Sequence, residues 1–289
     1  ERRSPFHSLS RWRGRDSKTK YEIKPKMKKT IFIPLFVLIV AQSFAQRIAI
    51  LGAMPEEVQL LESQLQNPKT KKILGFSFKT GKLMGKKVVL AETGIGKVNA
   101  ATVTTLLINQ FKPKSIIFTG IAGAVNPSLN QGDVVIGSRL AYHDYGRLTD
   151  EGLLTNPTRN PFTKERNDLF FLSDSALVSL SVSAIQKVDL QKVLPGVQPK
   201  IIKGTIVTGD TFVASAKATE RFVKTLNADA TEMEGAAVAQ ICGQLKIPFL
   251  VLRSISDKAN DKAPMDIQTF KKIAADNSAI MVKAILENL

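Results

Sequence analysis

The chain has 289 residues, 44% hydrophobic and 23% charged, the composition of a globular protein long enough to bury a sizeable core. A single cysteine, Cys242, excludes an internal disulfide and any cysteine-built zinc site, and His7 and His143 are too few for a histidine-rich metal centre. The net charge of +16 invites a polyanion partner, but the first 29 residues carry eleven Lys or Arg against three acids, half of the excess. The rest is spread thinly as lysine, so no nucleic-acid partner is expected.

In chain order, residues 1–26 read as a polar, disordered upstream segment. From Met27, "MKKTIFIPLFVLIVAQSFAQ" has two lysines, an apolar run from Ile31 to Ala41, and Ser43-Phe44-Ala45 with small residues where a signal peptidase reads. Residues 27–45 are therefore expected to be a cleaved secretory signal peptide. The run is short for a membrane span, so stable insertion is not expected, although an uncleaved anchor is the alternative. Use of the signal would place the protein in the periplasm or outside the cell, and otherwise in the cytoplasm. The remainder, 46–289, reads as one domain with no fixed-period repeat or low-complexity tract.

Within that domain, short Val- and Ile-rich runs alternate with segments of helical period. "RIAILGA", "KKVVLAETG", "KSIIFTGIAG", "GDVVIGSRLAY", "IIKGTIVTGD" and "PFLVLRSISD" predict buried strands. "PEEVQLLESQLQ", with Pro55 at a first helical position, "KVNAATVTTLLINQF", "ALVSLSVSAIQKV", "ATERFVKTL", "EGAAVAQICGQL" and the last 24 residues predict helices. The alternation implies an α/β fold, a single domain with a central, mostly parallel or mixed sheet covered by helices on both faces.

In such sheets ligands bind where strands deliver their carboxyl ends to loops. Those ends here carry Met54-Pro55-Glu56-Glu57, Thr93-Gly94-Ile95-Gly96, Gly120-Ile121-Ala122-Gly123, Gly209-Asp210-Thr211-Phe212, Glu232-Met233-Glu234 and Ser256-Asp257. Helix capping alone accounts for any one acid. Three acids converging at the ends of one sheet repel each other, and their convergence points to a ligand.

"IAILGAMPEEV", "TGIGKVNAA", "TGIAGAV", "YHD", "GDTFV", "TEMEGAAVA" and "RSISD", in that order, resemble the 5′-methylthioadenosine/S-adenosylhomocysteine nucleosidases of the purine nucleoside phosphorylase superfamily. The likeness runs from Arg47 to the C-terminal helix. It implies a twisted mixed sheet, a homodimer, and hydrolysis of the N-glycosidic bond of an adenine nucleoside with no metal and no cofactor. By resemblance Asp257 is the acid that protonates adenine N7 and Glu57 the base that activates water. Glu234 would accept the two ribose hydroxyls with Met233 packed on the sugar, Phe212 would stack on adenine, and the Val213 backbone would pair with the base edge. Met54 would line the ribose pocket, and Arg253 and Ser256 would stand near the water and the acid. His143 and Asp144 read either as site-loop residues or as a structural pair, and Cys242 as inert core.

Three departures bear on the substrate's 5′ end. Ile121 stands where bacterial relatives often carry serine, Ile267 where an aromatic often closes over the substrate, and the segment from Tyr145 to Asp174 looks longer than the usual lid. Two other readings remain: a phosphate-dependent phosphorylase, disfavoured because Glu57 stands where an arginine would be needed, and a non-catalytic nucleoside-binding or storage protein on the same fold.

Overall fold

The computed structural model describes residues 47–193 and 196–289. The expected upstream segment and signal peptide lie outside the described residues. Among those described, no helix is long and apolar enough to cross a membrane.

The chain runs β1 (Ile48–Gly52), α1 (Pro55–Ser63), β2 (Gln66–Ile73), β3 (Phe76–Leu83), β4 (Lys86–Glu92), α2 (Lys97–Phe111), β5 (Ser115–Ala124), β6 (Val134–Tyr142), β7 (Gly146–Thr149), β8 (Gly152–Thr155), β9 (Phe171–Leu172), α3 (Ser175–Ile185), β10 (Ile201–Thr208), α4 (Ala216–Leu226), β11 (Ala230–Glu232), α5 (Gly235–Gln244), β12 (Phe249–Asp257) and α6 (Ala263–Asn288). The main sheet has the order β11-β10-β6-β12-β5-β1-β4-β3-β2, with β9 on β6. It is mixed. β1 is parallel to β4 and β5, and β12 to β5, while β12–β6 and β2–β3–β4 are antiparallel.

One pairing changes the shape. β11 lies parallel to β10 and also antiparallel to β5, so β5, β12, β6, β10 and β11 close into a ring. Closure covers the free edge of β11, leaving β2 as an edge strand of the main sheet, and brings Glu232, at the end of β11, beside the ends of β5 and β12.

All ten residues of β5 and all nine of β12 are buried, which is why they read as continuous apolar runs. Two cores lie on the two sheet faces. One, with Phe78, Phe118, Leu107 and Cys242, is covered by α2 and α5; the other, with Ile50, Leu61, Leu252, Met281 and Ile285, by α1, α3 and α6. Each such side chain fully buried contributes roughly 1.5–3 kcal/mol.

Candidate active site

Glu57 sits in the first turn of α1, directly after β1. Its carboxylate accepts the Ala53 and Met54 amides at Oε2 (2.6 and 3.0 Å) and the Ile121 amide at Oε1 (3.0 Å). The side chain is 2% exposed. Burial raises its pKa above the ordinary glutamate value, against the opposing pull of the Arg253 charge and the three amides. Gly120 makes this burial possible, because a Cβ there would stand 2.6 Å from Glu57 Oε1.

Asp257 closes β12 with the same device. Its Oδ1 accepts the Ala259 amide (2.8 Å), its Oδ2 accepts the Ser256 hydroxyl (2.8 Å), and a Cβ on Gly123 would meet Oδ1 at 2.7 Å. Burial raises its pKa, and the Ser256 and Ala259 hydrogen bonds oppose that only in part. The "TGIAGAV" stretch is thus two glycines spaced to admit two carboxylates.

Glu232 and Glu234 divide their work. Glu232 accepts Arg253 Nη2 (2.5 Å), the Gly235 amide (2.7 and 3.0 Å) and the Glu234 amide (3.1 Å), and the Thr208 hydroxyl. It caps α5 and neutralises a guanidinium that is 1% exposed and stacked 4.3 Å from the Phe118 ring centroid. Glu234, two residues on, faces the cleft and accepts only the Gly96 amide at 2.8 Å. Burial first, then the neighbouring Glu232 charge, pushes its pKa up to about 8, with Arg253 and the Gly96 amide pulling the other way.

Met54, Glu57, Met233, Glu234, Ser256 and Asp257 all line one cleft of about 520 Å³ including its mouth, together with Phe212, Ile95, Ile121 and Ile267. Phe212 is 48% exposed, so it is a cleft wall and not core filler. Val213 lines a smaller recess of about 230 Å³ that shares Phe212, Met233 and Asp257. Arg253 does not line the cleft. It stands behind the wall, turned toward Glu232, and acts on the cleft through its charge. Ile121 packs with Ala274, Ala275, Met54 and Ile267, and its backbone amide rather than a hydroxyl serves Glu57.

His143 and Asp144 are not a pair. The buried His143 stacks on Phe222 at 4.4 Å, and its Nε2 has no partner. Asp144 Oδ2 accepts Lys97 Nζ (2.6 Å) and the Asp210 amide (2.8 Å), while Asp210 Oδ1 accepts the Lys97 amide (2.8 Å). This cluster ties the Gly96 loop, which holds Glu234, to the Phe212 loop. Sequence reasoning named Asp210 and Glu232 only as strand-end residues without a role, and missed Lys97, which follows "TGIG".

A glycine-opened strand end holding buried carboxylates around an apolar cleft, on a mixed sheet between two helical layers, is the architecture of an enzyme acting on a small polar-and-aromatic ligand, and the sequence profile of the phosphorylase superfamily matches residues 47–287. Within that superfamily the chain belongs to the 5′-methylthioadenosine/S-adenosylhomocysteine nucleosidases. The enzyme of that name from Shewanella sediminis is 38% identical over 244 residues, 84% of this chain and 100% of that protein. The Neisseria meningitidis nucleosidase, solved with methylthio-immucillin-A, is 38% identical with a TM-score of 0.74, over 84% of this chain and 100% of its own. A Helicobacter pylori futalosine hydrolase is similar too, at 31% identity and a TM-score of 0.72, over 85% of this chain and 99% of its own.

Proposed function

We infer that the chain hydrolyses the N-glycosidic bond of 5′-methylthioadenosine or S-adenosylhomocysteine, releasing adenine and a 5-thioribose. Leaving of the base from ribose C1′ places negative charge on adenine and positive charge on the sugar. Asp257, whose burial favours the protonated form, donates to adenine N7. Glu57, on the other side of the cleft, takes the proton of the attacking water. Glu234 is free on the cleft side to accept two ribose hydroxyls, and once it is ionised charge-assisted bonds of that kind contribute about 1.5–3 kcal/mol each. Phe212 and Met233 supply apolar surface for the base and the sugar.

The observation that carries hydrolysis over phosphorolysis is electrostatic. No lysine or arginine is among the residues lining the cleft, and the nearest guanidinium is committed to Glu232 behind it. A phosphate entering beside Glu57 would meet a carboxylate and no cation. Methylthioadenosine, adenosylhomocysteine, adenosine and inosine, incubated with the enzyme in phosphate-free buffer, are expected to separate into adenine-releasing thionucleosides and poor substrates. Acceleration by added phosphate with accumulation of a sugar 1-phosphate would overturn the hydrolase reading. A homodimer belongs to the same proposal. The exposed groove lined by Val98, Ala101, Tyr142, Tyr145, Ala237 and Ile241 supports it, and a monomer mass in light scattering would remove it. Export by way of residues 27–45 is likewise proposed, from the apolar run and the small residues before Gln46.

A further inference from the structure

The end of the sheet opposite the cleft carries an ordered row of cations that the catalytic reading does not use. Lys82 of β3 pairs directly with Lys87 of β4. Ile48 of β1 is in register with Val88 of β4 and with Ser115 of β5, so Arg47, one residue earlier, stands level with Lys87 on one side and Lys114 on the other. The Lys114 amide donates to the Arg47 carbonyl at 2.9 Å, which fixes that level. Four adjacent strands therefore present one cation each at the same height, about 4.8 Å apart. Three lysines and an arginine that look scattered along the sequence become a line of four, with Lys86 and Lys112 beside it.

None of these six makes an ion pair among the described residues; the nearby Lys79 takes Glu62. The acids at this end are few. α6 descends from Lys271 at Glu56 past Ser278 at Thr119, which brings Glu287 to the same end. Like charges directly opposite on neighbouring strands, as in Lys82 and Lys87, disfavour the sheet unless an anion screens them. Single lysines on an edge strand would protect against aggregation, but β4, β1 and β5 are interior strands and need no such protection.

We propose that this row seats the domain on an anionic phospholipid surface, with the cleft at the far end open to solution. The spacing suits it, since a flat line of cations from rigid strand ends meets many headgroup phosphates at once. The sequence supplies the second argument. Five residues separate the end of the apolar run Ile31–Ala41 from Arg47, and Arg47 stands in the middle of the row. A chain synthesised with that run at a bilayer delivers this face to the headgroups first. The attraction acts whether or not the preceding segment is removed, and it is independent of the reaction assigned to the cleft.

The Shewanella sediminis relative is matched over its whole length by the domain alone, so residues 46–289 fold as a unit and serve as the probe. The domain is expected to sediment with vesicles of phosphatidylcholine mixed with phosphatidylglycerol, not with phosphatidylcholine alone, and to be released by salt. Each surface cation contributes about a fivefold factor near such a membrane, so Lys82→Gln/Lys87→Gln/Lys114→Gln should weaken the partition by well over tenfold. Lys217→Gln/Lys224→Gln on α4 should change it much less, and adenine release in solution should be unchanged in both variants. No binding to the anionic vesicles at low salt would overturn the proposal. So would equal losses per lysine in the two variants, which would mean that net charge alone acts. Tighter binding to single-stranded DNA than to vesicles, lost in the same triple variant, would assign the row to a nucleic acid and overturn the membrane.

Discussion

Two buried carboxylates with raised pKa values carry opposite halves of one proton balance, and their surroundings differ in the sense the roles require. Glu57 receives three backbone amides and the field of Arg253, all favouring the ionised base; Asp257 receives one amide and one hydroxyl, and the Asp266 charge acts against its ionisation. Asp257→Asn and Glu57→Gln are each expected to lower kcat by at least about 10²-fold with the fold retained, as proton-transfer groups of this kind contribute about 10²- to 10⁴-fold. Turnover like the wild type in either variant, with unchanged circular dichroism, would remove that residue from the mechanism. Glu234 makes a separate prediction. Its folded pKa of about 8 lies above the ordinary glutamate value of 4.5, so the folded state binds the extra proton. Its contribution to stability is complete below the unfolded pKa and is lost as pH rises from about 4.5 through about 8, by an amount on the order of a few kcal/mol. Glu234→Gln, which keeps an acceptor for Gly96, should therefore melt higher than the ligand-free wild type at alkaline pH and nearly level with it at acid pH. A melting-temperature difference that does not change with pH would show that the carboxylate is not strained by its burial.

At the scale of elements, the site depends on β5 more than on the helices that supply its acids. The strand runs bare of side chain at Gly120 and Gly123, and the carboxylates of Glu57 and Asp257 fill those gaps. Gly120→Ala should push Glu57 aside and reduce kcat by about tenfold or more, a misplacement effect of the kind expected from a shift near 1 Å, while Gly123→Ala should act through Asp257. If either variant keeps full kcat, the gap is mere packing. The sequence made β1, β4, β5, β6, β10 and β12 and all six helices of the described residues legible, because buried strands give apolar runs and amphipathic helices give their period. β2 and β3 were not legible. β2 is exposed and lysine-rich and β3 only partly buried, and their hairpins turn on Leu74-Gly75 and Met84-Gly85, with Leu74 and Met84 at positive φ where Asn or Asp would have signalled the turn. β11, at three residues, is too short for any period to appear. The same limit hid Glu232. "TEMEGA" shows two acids, but only the pairing of β11 with both β10 and β5 reveals that the first anchors Arg253 and caps α5 while the second faces the cleft. Ligand-facing acids were readable from strand ends; the cation behind them was readable only as a neighbour in sequence.

For the molecule as a whole, the open question is where it works, and the start of the fold bears on it. β1 begins at Ile48, and the last main-chain contact before it is the Arg47 carbonyl, which accepts Lys114. Every ladder bond of β1 to β4 and β5 lies at or after Ile48. A cut between Ala45 and Gln46 leaves every bond of the described strands in place, and the signal-peptide reading expects the peptidase to act on an extended chain outside a fold. The expected mature protein begins at Gln46 and leaves the cytosol. Mass spectrometry of the N-terminus together with cell fractionation measures this directly. A chain that retains Met27 and fractionates with the cytosol would remove export from the proposal. A chain that retains Met27 and fractionates with membranes would replace the cleaved signal by an anchor.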